Sequence, residues 1–270
     1  MKPVIVARGE GPVILAQPHS GTGMPDNIAA RLNTRGRELI DTDWHIDRLY
    51  DGLLETATVV RARFHRYVID ANRDPSGESL YPGQNTTGLI PRVTFRNEPI
   101  WRDPPDAEDV NKRRLSYHSA YHDALQKEVD RIRAGWGLAV VYDCHSITSR
   151  LPFLFEGRLP VLNVGDNSGS TCSAALTAAV MQVCENSHYS HVLNGRFRGG
   201  WTTRHYGRPD QRVHAIQMEI AQSAYLKEEA TPFDYCTQKA EKLRRTLKTI
   251  LRRIEEWAHA TASKEQRCER

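Results

Sequence analysis

Two histidines, each followed by a serine, come shortly after apolar runs of the sequence. His19 follows the run at residues 12–16, and His145 follows the run at residues 138–142. Apolar runs that stop at polar residues are typical of buried strands that deliver a loop. Because the carboxyl ends of parallel strands meet at one edge of an α/β sheet, we expect both side chains at one site. Neutral imidazole is a preferred zinc ligand, so the pair predicts a metal centre.

A third ligand is expected, since a catalytic zinc ion typically has three protein ligands and one open position. The segment at residues 41–47 carries three acids, of which Asp43 and Asp47 are one helical turn apart. We predict Asp43 as the ligand, with Asp41 and Asp47 as the alternatives. The competing interpretation is that these acids cap and charge the first turn of a helix.

Two further acids stand in or next to apolar strands. Glu219 lies within the run at residues 215–220 and is either a charge on an edge strand or a general base for a metal-activated water. Asp143 precedes His145 by two residues, so it shares a face with that histidine if the strand continues. It would then be a candidate acceptor for an imidazole N–H.

The pair His118 and His122 has the i, i+4 spacing of helical zinc sites, but no Glu follows His118, so the metalloprotease motif is absent. These histidines either touch the site or line a helix that packs on the sheet. Several arginines also lie near predicted loops. A guanidinium binds a carboxylate bidentately, so several arginines opening on one pocket would predict a small acidic substrate. The arginines are Arg66, Arg73, Arg92, Arg96, Arg196, Arg198 and Arg204.

The elements that position these residues alternate between strands and helices, which favours a three-layer α/β fold with a mostly parallel sheet. Strands are predicted at residues 12–16, 58–64, 67–70, 138–142, 159–164 and 214–220. Helices are predicted at residues 26–33, 38–56, 106–133, 173–185 and 232–259. The segment at residues 72–105 is predicted to be a long functional loop or lid. With no linker or repeat, residues 1–270 are expected to form one domain, with the catalytic motifs within residues 12–230 and a C-terminal helix at 232–259.

Composition excludes several other classes of protein. The hydrophobic fraction of 39% and charged fraction of 26% are ordinary for a globular chain. The net charge of +4 comes from scattered arginines, so no nucleic-acid partner is expected. Five cysteines without CxxC spacing predict neither a disulfide framework nor a cysteine zinc site. The chain start lacks a signal peptide and no long apolar run occurs, so a cytoplasmic protein without membrane contact is expected. No oligomeric state is predicted.

Seven motifs, in order, resemble the N-formylglutamate amidohydrolase family. They span about residues 12–230, which is most of the chain. The motifs are PHSG (18–21), DTD (41–43), DANR (70–73), YHSAYH (117–122), DCHS (143–146), NGRFRGG (194–200) and QMEI (217–220).

The resemblance implies a phosphorylase/hydrolase-like α/β/α fold with one zinc ion per chain, because this family is related to the zinc carboxypeptidases and to aspartoacylase. His19 matches the first metal ligand of those relatives, and His145 matches the last. Their middle ligand is a Glu three residues after the first His, where this chain has Thr22. Asp43 is therefore expected in its place.

The resemblance also assigns roles around the metal. Asn72 and Arg73 match the pair that grips the substrate carboxylate, Arg66 resembles the arginine that stabilises the oxyanion, and Glu219 matches the general base. We add Arg204 as the expected partner of a second substrate carboxylate.

The implied reaction is zinc-dependent hydrolysis of N-formyl-L-glutamate to formate and L-glutamate, as in the last step of one route of histidine breakdown. The chain would then be an amidohydrolase, specifically a deformylase, acting on a small acidic N-acyl amino acid. The alternatives are a deacylase of N-acetylaspartate, N-succinylglutamate, N-formylaspartate or a short peptide, and a non-catalytic binding protein with the same fold.

Overall fold

The centre of the fold is a mixed, mostly parallel β-sheet. The computed structural model describes residues 2–80 and 82–268. In this part of the chain seven strands pair in the order β1-β3-β2-β4-β7-β5-β6. They are β1 (Val4–Ala7), β2 (Val13–Gln17), β3 (Thr58–Ala62), β4 (Ala139–Ile147), β5 (Leu162–Gly165), β6 (His191–Leu193) and β7 (Val213–Ala221).

The three strands β2, β4 and β7 are parallel to one another and lie next to each other in the sheet. Every residue of these strands is buried. Strands covered on both faces have nearly continuous apolar sequences, which explains why all three are recognisable in the sequence. Their carboxyl ends open on the same edge of the sheet. The antiparallel pairs, β1 with β3 and β5 with β7, lie towards the sides.

Helices cover both faces of the sheet. Alternate residues of β4, such as Val140 and Tyr142, pack in one apolar cluster with side chains of three helices, α3 (Ile46–Tyr50), α6 (Ala174–Glu185) and α8 (Thr237–Cys268). The intervening residues, such as Val141, pack in a second cluster with side chains of α5 (Ala120–Trp136). The predicted three-layer α/β/α class is thereby confirmed. The α-helices in the described residues are α1 (Asp26–Ala29), α2 (Thr34–Arg37), α3 (Ile46–Tyr50), α4 (Ala107–Arg113), α5 (Ala120–Trp136), α6 (Ala174–Glu185), α7 (Trp201–Tyr206) and α8 (Thr237–Cys268), and a π-helical segment, Arg114–Ser119, joins α4 to α5.

The face of the sheet under α5 changes character along the central strands. On β4 this face begins with Ala139 and Val141, which belong to the apolar cluster. Because side chains alternate along a strand and β4 continues to Ile147, the next residues on this face are Asp143 and His145. On the α5 side of the sheet, the apolar core therefore ends near the carboxyl ends of the strands, where polar side chains replace apolar ones.

Some predicted elements differ from the structure. The helix predicted at residues 38–56 is wrong: only α3 lies in that range, because Leu39 and His45 have positive φ angles of 51° and 58° and interrupt it. The strand predicted at residues 67–70 is also wrong, since these residues form turns and irregular backbone. The C-terminal helix starts at Thr237 and not at residue 232. The sequence patterns did not predict β1, β6 or α7.

The segment at residues 72–105 contains no helix or regular strand in its described part, residues 72–80 and 82–105. This agrees with the predicted long loop. Among the described residues we find no helix with the length and hydropathy needed to cross a membrane. The cysteines whose side chains are described are free: Cys144, Cys172, Cys184 and Cys236. The cytoplasmic location stays a prediction.

Leu247 on α8 tests the packing of this helix on the sheet, because its side chain is fully buried in the cluster with β4. We expect Leu247→Ala to lower the free energy of unfolding by about 2–5 kcal/mol, since the substitution leaves a cavity in a packed core. The matched control is Leu115→Ala, because Leu115 is 57% exposed. Its expected change is within about 0.5 kcal/mol. Equal decreases in the free energy of unfolding of the two variants, measured by chemical denaturation, would contradict this packing.

Candidate active site

Two histidines and one aspartate converge at the carboxyl edge of the sheet. The Nδ1 atoms of His19, just past β2, and His145, on β4, are 3.2 Å apart. Asp43 Oδ2 lies 3.3 Å from His145 Nδ1 and 3.8 Å from His19 Nδ1. All three side chains are buried, and one ligand atom from each lies within 4.8 Å of the others. The three residues therefore form a candidate metal centre.

Carboxylates also stand behind both imidazoles. His19 Nε2 lies 2.6 Å from Asp70 Oδ1, and His145 Nε2 lies 3.0 Å from Asp143 Oδ1. Since a carboxylate accepts hydrogen bonds, Asp70 favours the proton of His19 on Nε2. The Nδ1 atoms of the two histidines and Asp43 Oδ2 lie close enough together for one cation to bind all three. Two imidazole nitrogens and a carboxylate oxygen are a donor set that fits zinc.

The surroundings of the two histidines act in opposite directions on their charged forms. Burial, together with Arg66, lowers the pKa of His19. Burial also opposes a charge on His145, but Asp143 and Asp43 outweigh it and hold the pKa of His145 well above its usual value. For Asp43 burial favours the neutral acid, yet Arg66 and the two histidines outweigh it and lower the pKa of this carboxyl. The site therefore stabilises positive charge beside the Asp43 carboxylate.

The backbone and Arg66 fix Asp43. Its N–H donates to the His19 carbonyl at 3.2 Å. The N–H of Ser146 donates to Asp43 Oδ2 at 3.0 Å, and Arg66 donates to Oδ1. Both oxygens of this buried carboxylate are thus engaged, as burial of a charge requires.

The two alternative acids point elsewhere. Asp41 Oδ2 accepts hydrogen bonds from the Tyr67 hydroxyl at 2.7 Å and from the Phe95 N–H at 3.0 Å. Asp47 is paired with Arg61, and its side chain is 40% exposed. Of the three acids predicted as ligands, the structure brings Asp43 to the histidines.

A cavity of about 570 Å³, its opening to solvent included, lies over these residues. His19, His145 and Glu219 form part of its wall. Other described residues that line it include three arginines and four apolar side chains: Arg66, Arg73, Arg196, Phe95, Ile147, Leu154 and Phe197. The pocket therefore combines the candidate metal centre with guanidinium groups that can bind an anion.

Glu219 is placed beside the histidines by the sheet itself. It is the register partner of His145 in the parallel pairing of β4 with β7. Burial raises the pKa of Glu219 to about 8, an effect that His145 opposes and Asp43 reinforces. A buried carboxyl group with a raised pKa in a cavity suits a role in proton transfer.

Two of the predicted substrate-binding residues line the cavity. Asn72 is buried, and its Oδ1 accepts the N–H of Thr202 at 2.8 Å. Arg73 donates from Nε to the Thr87 carbonyl at 2.8 Å and from Nη2 to the Thr87 hydroxyl at 3.0 Å. Gly200 packs against Asn72 so closely that a Cβ would stand 2.2 Å from Nδ2.

Arg204 is not among the described residues that line this cavity. Its guanidinium donates to the carbonyls of Gly199 and Leu80, at 3.0 and 3.1 Å. Arg196, on the same glycine-rich segment, does line the cavity and donates from Nε to the Leu154 carbonyl at 2.9 Å. The sequence analysis expected Arg204 at the second carboxylate; Arg204 lies on α7, whereas Arg196 lies in the irregular segment before that helix.

Sequence reasoning also overlooked Asp70 and Gln217 as individual residues of the site. Asp70 interrupts the apolar stretch at residues 67–71, and a buried carboxylate there requires a partner, which was an available signal. Gln217 lies two residues before Glu219 on the same face of β7, and its Oε1 accepts the Gly200 N–H at 2.8 Å. A polar residue at this spacing inside an apolar strand was the second signal.

Comparison with known proteins gives consistent similarities. The sequence profile described as N-formylglutamate amidohydrolase matches residues 11–226. The N-formylglutamate deformylase of Pseudomonas aeruginosa is 42% identical over 254 residues, covering 93% of this chain and 95% of the relative. That of Pseudomonas putida is 41% identical over 254 residues, covering 93% and 94%. The solved structure of N-formylglutamate amidohydrolase from Ralstonia eutropha JMP134 has a TM-score of 0.80 at 25% identity and covers 97% of this chain and 100% of that chain.

Proposed function

We propose that this chain, which belongs to the N-formylglutamate amidohydrolase family, hydrolyses N-formyl-L-glutamate to formate and L-glutamate with one zinc ion as cofactor. The membership confirms the family resemblance and the enzyme class predicted from the sequence. The observation that carries the proposal is a single cavity that holds His19, His145 and Glu219 together with arginines.

In this proposal His19, Asp43 and His145 hold the zinc ion. The chemistry that zinc supplies in such sites is Lewis acidity, which polarises a carbonyl group and acidifies water. Asp70 supports His19 by accepting its N–H on the far side, and the Asp143 carboxylate lies 3.0 Å from Nε2 of His145. The site lies at the edge of one sheet, and we propose that residues 1–270 form one amidohydrolase domain.

Glu219 acts as the general base. Its buried carboxylate takes a proton from the attacking water and then delivers it to the nitrogen of the leaving L-glutamate. Arg66 stabilises the negative charge that develops on the formyl oxygen, because its guanidinium lines the cavity. Its hydrogen bond to Asp43 holds the guanidinium next to the metal ligands.

The substrate is a small acidic N-acyl amino acid, held by its carboxylates. We assign Asn72 and Arg73 to one carboxylate, since both line the cavity next to the histidines. We assign Arg196 to the second carboxylate in place of Arg204, because Arg196 lines the cavity. Arg204 is assigned a supporting role, as it binds the carbonyls of two loops.

Metal binding tests the ligand set. We expect metal-stripped protein to bind stoichiometric zinc in a calorimetric titration, and Asp43→Ala to weaken binding at least about tenfold, because it removes the carboxylate donor. Asp47→Ala is the matched control, since Asp47 is partly exposed and paired with Arg61. The assignment of Asp43 as a zinc ligand would be refuted if wild-type protein bound no zinc, or if both variants lost the same amount of zinc affinity.

Glu219→Gln separates metal binding from proton transfer. The variant should retain zinc but lose at least about 100-fold in kcat for formate release, since an amide cannot accept the water proton. Glu185→Gln, at an exposed position, serves as the control and should keep the wild-type rate. Near-normal turnover by Glu219→Gln would remove Glu219 from the mechanism.

Arg196→Met tests the recognition of the second carboxylate. The wild-type preference in kcat/KM for N-formyl-L-glutamate over N-formyl-L-glutamine should fall by about 10- to 100-fold, because the charge partner of the side-chain carboxylate is lost. Arg198→Met is the control, since Arg198 is exposed on the same loop. An unchanged preference would reject the role of Arg196.

The same assay distinguishes the alternatives for the acyl group and the amino acid. Faster turnover of N-acetylaspartate, N-succinylglutamate or N-formylaspartate than of N-formylglutamate would assign the enzyme to that substrate. Stoichiometric zinc without turnover of any of them would favour a binding protein with the same fold.

A further inference from the structure

The segment at residues 70–73 contacts both histidines of the candidate metal centre and forms part of the cavity wall. Asp70 Oδ1 lies 2.6 Å from His19 Nε2, and Asn72 Nδ2 lies 3.1 Å from His145 Nε2. Arg73 lines the cavity. The segment belongs to no helix or strand, so regular secondary structure does not orient its peptide groups. Other groups must hold its carbonyls in place.

Two histidines hold the carbonyls on either side of Asn72. His122 Nε2 lies 2.7 Å from the Ala71 carbonyl oxygen, and His118 Nε2 lies 2.9 Å from the Arg73 carbonyl oxygen. A carbonyl oxygen only accepts, so both Nε2 atoms carry hydrogen and donate. Burial lowers the pKa of both histidines, which keeps the imidazoles neutral.

The helix that carries these histidines places them one above the other. His118 lies in the π-helical segment and His122 in the first turn of α5, with ring centroids 4.5 Å apart. Short π-helical segments change the register of a helix and are frequent at functional sites. Here the segment brings two donors to carbonyls two residues apart on the loop.

A tryptophan connects the same pair to α7. The Trp201 ring packs on His118 and His122 with centroid distances of 5.4 and 4.4 Å. The next residue, Thr202, donates its N–H to Asn72 Oδ1 at 2.8 Å. Both the backbone and the side chain of Asn72 are therefore oriented from one cluster.

We propose that His118 and His122 are positioning residues that fix Asn72 and Arg73 in the geometry needed to bind the substrate carboxylate. Neither histidine is among the described residues that line the cavity, so both act through the loop. This inference rests on the proposed function, in which Asn72 and Arg73 hold an acidic substrate.

Glutamine and asparagine variants provide a matched test at each histidine. The amide nitrogen of Gln reaches the position of imidazole Nε2, whereas Asn carries the same group one methylene short of it. We expect His118→Asn and His122→Asn to raise KM about tenfold or more, and the Gln variants to stay within about threefold of wild type. Equal KM values for the Gln and Asn variants would overturn the proposal.

A double-mutant cycle identifies the path of the effect. If His118 acts through Arg73, His118→Asn should change KM by less than about twofold in an Arg73→Met background. A general structural defect would instead give the same loss in both backgrounds, which would refute the proposal. His205→Leu is the control within the cluster. His205 stacks on Trp201 with a ring-centroid distance of 4.1 Å, whereas the two hydrogen bonds to the loop carbonyls come from His118 and His122.

Binding of L-glutamate, measured by calorimetry, makes the test independent of turnover. The Asn variants should bind L-glutamate about tenfold more weakly than the Gln variants, because the same carboxylate contact is affected. If wild-type protein does not hydrolyse N-formylglutamate, the proposed function fails, and a difference in L-glutamate binding still supports the positioning role. Equal L-glutamate binding by the Gln and Asn variants overturns that role.

Discussion

The burial of the Asp43 carboxylate is the constraint on which this site depends. Only 1% of its side chain is exposed, so its charge requires compensation from the protein. Arg66 compensates at Oδ1, while the N–H of Ser146 and the imidazole pair face Oδ2. The loop after α2, the turn after β3 and the carboxyl end of β4 must therefore meet at one point. A sheet edge where parallel strands end makes this possible.

The support continues outward from this point through further carboxylates. Asp70 lies behind His19 and also accepts the N–H of Asn72 at 2.8 Å, so one acid links the metal centre to the substrate loop. Asp143 lies behind His145 and accepts the Thr203 hydroxyl at 3.1 Å, which connects the centre to α7. Each of these two buried carboxylates thus fixes a neighbouring segment by accepting a hydrogen bond from it. Irregular segments are fixed in this way although they have few backbone hydrogen bonds of their own.

The sequence predicts the parts of this arrangement that local pattern determines. The strands β2, β4 and β7 are apolar because both faces are covered, and the polar residues after the apolar runs of β2 and β4 indicate where His19 and His145 meet. The conformation at residues 38–56 was not predictable, because positive φ angles at Leu39 and His45 follow from tertiary contacts and not from helical spacing. The position of Arg196 at the cavity was not predictable either, because this loop residue is directed by the distant carbonyls of Leu154 and Asn85.

The strand residues proposed for catalysis and the loop residues proposed for substrate recognition are positioned by different kinds of contact. A metal ligand or general base on a strand has its direction fixed by the pleat, so Glu219 is next to His145 whenever β4 and β7 pair in this register. Arg73 and Arg196, in contrast, are directed by carbonyls of other loops, at Thr87 and Leu154. A change in a loop can therefore alter the spacing of the guanidinium groups while the strands keep His145 next to Glu219. The reaction type is consequently encoded more locally in this chain than the identity of its substrate.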